Sequence, residues 1–378
     1  MTIEIREHRP GEDLRDFIQV PHAIFRDDPA WIPPLEMEMR DRLTPGKNPF
    51  FDHGEAALFT AWHSGRAVGR CSAQIYREHL RIHADDAGFF GFFDTVDDPE
   101  VAQALLGAAE GWLRDRGMKQ MRGPMSLHIN EETGLLIEGY DTPPVFMMNH
   151  CRPYQPGLVE ACGLTKEKDL IAWRYQVGDV PKRGLRAWEA MQDMPEIRLR
   201  SVDRSHVERD LRIVMDIYND AWSENWGFVP TTPEEVKKTV QDLKLILDPD
   251  IAFIAEIEER PVGMCICIPN LNEAIHDLGG KLFPFGIAKL LWRLKVGRPR
   301  SARLMLLGIR KELRGVKRYG GLSMAMYVEL AKRGKAKGYE WCELSWTLED
   351  NHPVNLGIRA MGGKPYKKYR VYAKELVQ

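Results

Sequence analysis

The chain has 378 residues, 44% of them hydrophobic and 29% charged, and a formal net charge of -2. That length accommodates two self-sufficient cores, and without a global charge excess no nucleic-acid partner is expected. Six scattered cysteines with no CxxC pair, a charged start (MTIEIREHRPGEDL) and no apolar run near the ~18 residues of a membrane helix lead us to expect a reduced, cytoplasmic protein.

Residues 55–76, EAALFTAWHSGRAVGRCSAQIY, read as two strands joined by a tight turn at Ser64-Gly65. In REHLRIHADD that follows, His79 and His83 stand four apart with Asp85 and Asp86 nearby, but a polar turn accounts for them, and no metal is expected. GFFGFFDTVDD is a further strand. PEVAQALLGAAEGWLRDRG is a helix, with Pro99 in its first turn, Val101, Leu105, Ala108, Ala109 and Trp112 on one stripe, and Gly117 at its end. MKQMRGPMSLHINEE is a strand running into an acidic loop, LVEACG a short segment ending at Gly163, and IAWRY a strand holding Arg174.

The second half repeats the order. IAFIAEIEERPVGMCICI is a hairpin, RLMLLGI a strand, and GGLSMAMYVELAKRGKAKG a helix closed by Gly338. YEWCELSWTLEDN, LGIRAMGG and KKYRVY around Arg370 complete the match. A repeat of half the chain means two copies of one domain. Its strand and helix order predicts an α+β fold, a mixed sheet with helices on both faces. The expected boundaries are 1–178, a linker at 179–196 rich in Pro and Gly punctuation, and 197–378. No GxxxxGK[ST], GxGxxG or GxSxG occurs.

This order, above all in the last 75 residues, resembles the GNAT superfamily of acyl-CoA-dependent N-acyltransferases, here as a tandem pair of GNAT-like domains. The family ends a strand with a V-x-P-x-Y-R-G-like pattern and follows it with R/Q-x-x-G-x-G/A and a helix. Here the passage is LLGIRKELRGVKRYGGLSMAMY, in which Ile309 matches Val, Lys311 and Leu313 replace Pro and Tyr, and Arg314-Gly315 match directly. The resemblance implies that Lys317, Arg318, Gly320 and Gly321 cradle the coenzyme A pyrophosphate, with backbone N–H groups at a helix N-terminus forming the anion site. The loop is longer than usual, and Ser323 stands where Gly or Ala is common. In the first copy Asp94, Asp97 and Asp98 fall at the equivalent loop and would repel phosphates, so that copy is expected to be degenerate for coenzyme A binding.

In this family the acceptor amine attacks the thioester directly, so a base, an oxyanion donor and an acid for the thiolate are needed. Asn351 matches the family's cofactor-side Asn after CELSWTLEDN. The Tyr that often follows it by seven residues is Ile358 here, leaving Tyr366, Tyr369, Tyr372 or water to protonate the thiolate. Glu349 and Asp350 are the nearest bases, with a solvated pair ahead of a helix as the competing reading. For the acceptor, Trp222, Trp226 and Phe228 supply apolar surface, with Glu224 and Asn225 as polar contacts, and Asn130–Thr133 of the first copy is a further candidate. The function expected is acyl transfer from acyl-CoA to an amine. Two alternatives are a non-enzymatic acyl-CoA or lipid sensor and an aminoacyl-tRNA-dependent transferase.

Between GMCICIPN and ARLMLLGI lies an insertion, KLFPFGIAKLLWRLKVGRPR. From Lys281 to Arg303 it holds seven basic and no acidic residues. Its pattern predicts an amphipathic helix with Lys289 and Arg293 on one face and Ile287, Leu290, Leu291 and Leu294 on the other. It fits either an interfacial helix at the inner face of a membrane or a lid packed on the sheet. Both readings imply a donor or acceptor longer than acetyl.

Overall fold

The computed structural model describes residues 2–178 and 180–376. In chain order the first half carries β1 (Glu4–His8), α1 (Arg15–Ile24), α2 (Glu36–Arg42), α3 (Phe50–His53), β2 (Gly54–His63), β3 (Arg66–Tyr76), α4 (Arg77–His83), β4 (Ala87–Thr95), α5 (Pro99–Arg114), β5 (Gln120–Gly123), β6 (Leu135–Glu138), α6 (Gln155–Ala161) and β7 (Thr165–Gln176). The second carries α7 (Lys182–Gln192), β8 (Ile197–Ser201), α8 (Val207–Trp222), α9 (Pro233–Ile246), β9 (Ala252–Ile257), β10 (Arg260–Pro269), α10 (Leu271–Ile275), α11 (Gly286–Trp292), β11 (Ser301–Ile309), α12 (Leu322–Lys337), β12 (Trp341–Leu348), α13 (His352–Ala360) and β13 (Lys364–Glu375). The expected α+β order recurs in both halves. The opening strands β1 and β8 were not anticipated, because their alternation of charged and apolar residues spans only five positions each.

Two compact units form, and they do not coincide with the halves. The first runs to Leu170 and also takes Ile275–Ile287 and the segment from Lys367 on; the second is Ile171–Ala274 with Ala288–Tyr366. The expected linker begins at Asp179, which lies outside the described residues; most of its remainder is α7, packed on α12 within the second unit.

In the first unit β1 to β5 are ordered as in sequence, antiparallel except for the β4–β5 pair. The C-terminal β13 completes this unit, pairing antiparallel with β5 (Tyr372 opposite Gly123) and with β6 (Arg370 opposite Leu135). In the second unit the order is β7, β12, β11, β10, β9, β8. Each half of the sequence therefore gives part of its last strand to the unit formed mainly by the other half.

The expected α5 stripe is buried at Val101, Leu105, Ala109 and Trp112, and Asp98 caps the helix by accepting from the Glu100 N–H at 2.9 Å. Gly338, at φ 84°, ends α12 in the left-handed region that suits glycine. The second unit's core joins α12 to the sheet through Leu322, Ala325, Met326, Phe253, Cys265 and Leu304.

Candidate active site

β11 and β12 run parallel but pair only where Ser301, Ala302 and Arg303 meet Trp341, Cys342 and Glu343. Beyond that point β11 continues to Ile309 and β12 to Leu348 without pairing, so the strands part toward their C-terminal ends. On its other side β11 is bulged, because Ile266 pairs with Leu306 and Cys267 with Leu304, which skips Met305. A bulge re-aims a backbone N–H away from the ladder. Met305–Ile309 of β11 and Ser345–Thr347 of β12 are half-buried, whereas Ser301–Leu304 are buried.

At the closed end stands a charged group in an apolar strand pair. Glu343 is fully buried; its carboxylate lies 3.7 Å from Arg303 Nε and accepts the hydroxyl of Tyr366. Arg303 Nε also donates to Ser345 Oγ at 3.2 Å, and Ser345 holds φ 49°, a costly conformation for a non-glycine residue. Among the expected catalytic residues, Tyr366 is thus brought to this network. Glu349 and Asp350 lie apart from it, on the turn between β12 and α13. Asn355 fixes that turn by accepting from Thr347 Oγ1 at 2.6 Å and donating to Leu348 O at 3.0 Å, while Asn351 heads α13 without a side-chain cap bond. Ile358 is buried in the core, so α13 offers no acid there. Tyr372 donates to Glu160 at 3.1 Å in the first unit, and Tyr369 is buried there.

Past Ile309 the chain makes two short 3-10 turns, Lys311–Leu313 and Lys317–Tyr319, before α12. Its course is fixed by Lys311 N–H donating to Asp220 Oδ2 at 2.8 Å and by Arg314 donating to Ala221 O. Gly321 is the N-cap of α12, and no side chain caps that helix. Its first-turn N–H groups and Lys311, Arg314 and Lys317 therefore present positive potential to an anion. Arg318 is held by Glu196 at 2.5 Å, and the Glu196 carboxyl lies below its ordinary range, first through its own backbone N–H and then through Arg318.

The contrast with the first unit is electrostatic. There α5 is capped by the Asp98 carboxylate and begins with Pro99, which has no N–H. Asp94, expected in the phosphate loop, instead sits inside β4, because that strand continues to Thr95, and accepts from Arg70 Nε at 2.8 Å. Burial pushes its carboxyl above the ordinary value despite Arg70. Asn130–Thr133 belong to a largely buried loop clamped by Arg42, which lies 2.9 Å from Glu131 and 3.1 Å from Glu132 and donates to Ser126 O at 3.2 Å. Burial opposes the Arg42 charge, but Glu131, Glu132 and Glu38 together outweigh it and hold the guanidinium above its ordinary value. His79 engages Asp85 at 3.0 Å and lies 4.4 Å from His83 between ring centres, the rings tilted by 31°. Among the described residues no group of three or more His, Cys, Asp or Glu is placed to hold a metal.

Of the expected acceptor residues Trp222 ends α8 and the others lie on the turn after it. Trp222 packs on Gly308 of β11, where a Cβ would come within 2.5 Å of its ring, so glycine is required for that approach. Tyr218 sits 5.1 Å from Trp222 and 5.4 Å from Phe228 between ring centres. Glu224 reaches Lys311 Nζ at 3.7 Å, and Asn225 N–H donates to Trp222 O at 2.8 Å. Trp226 follows on the same turn. Sequence reasoning thus missed Arg303, Glu343 and Ser345. A charge inside each of two apolar strands, ARLMLLGI and CELSW, was the available signal.

No family model matches the chain. It is 41% identical over 373 residues to protein YghO of Escherichia coli K12, spanning 98% of this chain and 95% of that one. It is 43% identical over 371 residues to a bacterial ceramide synthase of Caulobacter vibrioides, spanning 96% and 95%. The fold matches a tandem GNAT protein from the clavulanic acid biosynthesis pathway with TM-score 0.58 at 12% identity, covering 100% of this chain and 99% of that one. This chain belongs to the family of YghO and that ceramide synthase, and its fold is that of tandem GNAT proteins. A GCN5-related N-acetyltransferase from Sphaerobacter thermophilus shares the fold at TM-score 0.56 and 15% identity, covering 99% and 96%. The start of α12, which no side chain caps, and the basic loop ahead of it offer N–H groups and cationic side chains of the kind an anion needs. Among the described residues, no helix is long and apolar enough to cross a membrane.

Proposed function

We propose that the second unit transfers a fatty acyl group from its coenzyme A thioester to the amine of a long-chain amino alcohol, forming an amide lipid. The observation that carries this is the 43% identity to a bacterial ceramide synthase along nearly the whole chain. Lys311, Arg314, Gly315, Lys317, Gly320 and Gly321 receive the pyrophosphate, with Ile309 at the strand end and Asn351 on the cofactor side. Arg318, through Glu196, steadies the loop. The arm then follows the parted ends of β11 and β12, and the backbone at the Met305 bulge supplies a donor to the thioester oxygen.

The amine nitrogen attacks the thioester carbonyl, the C–N bond forms, and the C–S bond breaks. The nitrogen loses a proton to a base, for which Glu349, Asp350 and Glu343 are the carboxylates at hand. The thiolate gains one from Tyr366 or water. Trp222, Glu224, Asn225 and Trp226 shape the acceptor side. The basic loop favours a coenzyme A donor over aminoacyl-tRNA.

The test incubates the protein with a panel of acyl-CoA donors from acetyl to long-chain acyl and a long-chain amino alcohol, following free thiol and amide mass. Amide formation favouring long donors is expected. A strict preference for acetyl-CoA, or no amide from folded protein that binds acyl-CoA, overturns the reading.

A further inference from the structure

Six of the eleven exposed large hydrophobic residues among those described fall within fourteen positions of the insertion: Phe283, Phe285, Ile287, Leu291, Trp292 and Val296. Phe285 is 80% exposed, Phe283 70%, Val296 65% and Trp292 59%. Isolated exposed apolar residues are ordinary, but a contiguous run marks an interaction surface. The run is anchored in place. Leu282 is buried, Leu290 and Leu294 are half-buried, and Arg293 donates to Ala274 O at 2.8 Å. The amphipathic pattern expected from sequence is therefore partly inverted, because Ile287 and Leu291, one turn apart on α11, face outward. A lid would bury those side chains.

The charges say what covers the patch. Lys281, Lys289, Lys295, Arg298 and Arg300 are all exposed along the same stretch, which has no acidic residue. Lysines are depleted from protein–protein interface cores, and a symmetric pairing of two copies would press two basic patches together. Exposed aromatics among lysines instead match an anionic bilayer surface, where the rings enter the interfacial layer and the ammonium groups meet phosphates. We propose that residues 281–300 dock the enzyme on an anionic phospholipid membrane without spanning it. The proposal rests on the segment's own side chains and does not depend on the identity of the acyl acceptor.

The test compares wild type with a Phe285→Ser, Trp292→Glu double variant in co-sedimentation with vesicles of phosphatidylglycerol mixed with phosphatidylcholine and with phosphatidylcholine alone. Both residues are exposed, so circular dichroism and melting temperature should be unchanged. Wild type is expected to sediment with the mixed vesicles, to be released by high salt, and to lose about tenfold in bound fraction in the variant. Turnover of a water-soluble short-chain amine should be equal in the two proteins, which separates docking from catalysis. Wild type remaining in the supernatant, or a variant that sediments equally, overturns the proposal. So does a wild-type dimer that the variant converts to monomer without any vesicle binding, since a second copy then covers the patch. Absence of amide formation in the acyl-transfer assay leaves this result intact.

Discussion

Arg303, Glu343, Ser345 and Tyr366 concentrate polar chemistry where β11 and β12 part. Removing the Tyr366 hydroxyl leaves the ring in place, so Tyr366→Phe is expected to lower kcat about tenfold or more with the KM for acyl-CoA little changed, as steady-state kinetics would show. Glu343→Gln carries a second cost, because Arg303 keeps its charge in a buried place; a stability loss of about 3 kcal/mol in urea unfolding is expected beside the kinetic one. His79 gives a pH prediction. Burial lowers its pKa from an ordinary 6.5 to about 4, with Asp85 pulling the other way. The unfolded chain then binds a proton that the folded chain refuses. The contribution is complete above pH 6.5 and is lost as pH falls through about 4. His79→Gln, which retains a partner for Asp85, should flatten the fall in unfolding free energy between these limits.

The start of α12 is where helix electrostatics bear on the proposed phosphate site. Gly321→Asp would place a carboxylate where the pyrophosphate is proposed to sit, and would also supply a missing cap. Melting temperature should hold or rise by the equivalent of about 1 kcal/mol, while the KM for acyl-CoA rises at least about tenfold. A purely structural role for the loop would move neither KM nor binding measured by calorimetry. On β11, Gly308→Val would drive a side chain into the Trp222 ring. Overpacking of that kind costs about 1–3 kcal/mol in chemical unfolding, and less than that would mean the α8 end yields easily.

At the scale of the molecule, the two units interleave in sequence. A fragment of residues 1–178 matches the first half as the repeat defines it, but lacks β13, the strand on which β5 and β6 pair. It is expected not to fold cooperatively, by thermal melting and amide exchange, because both strands would present an unpaired edge. A sharp melt of that fragment alone would show that the first unit does not need its C-terminal strand.

The sequence by itself determined the repeat, the α+β order, the α5 stripe, the glycine that closes α12 and the basic loop ahead of it. All of these are local, carried by periodicity, capping and glycine placement within one or two elements. The tertiary structure decided what depends on distant partners. Asp94 reads as a loop carboxylate until Arg70, 24 positions away, is seen to hold it within β4. Glu343 reads as a stray charge until Arg303 and Tyr366 converge on it. The insertion's pattern indicated amphipathicity, but which side faces outward was fixed by packing of Leu282, Leu290 and Leu294. The placement of β13 in the first unit rests on hydrogen bonds to strands more than two hundred residues away, and backbone pairing of that kind leaves no side-chain signature in the chain.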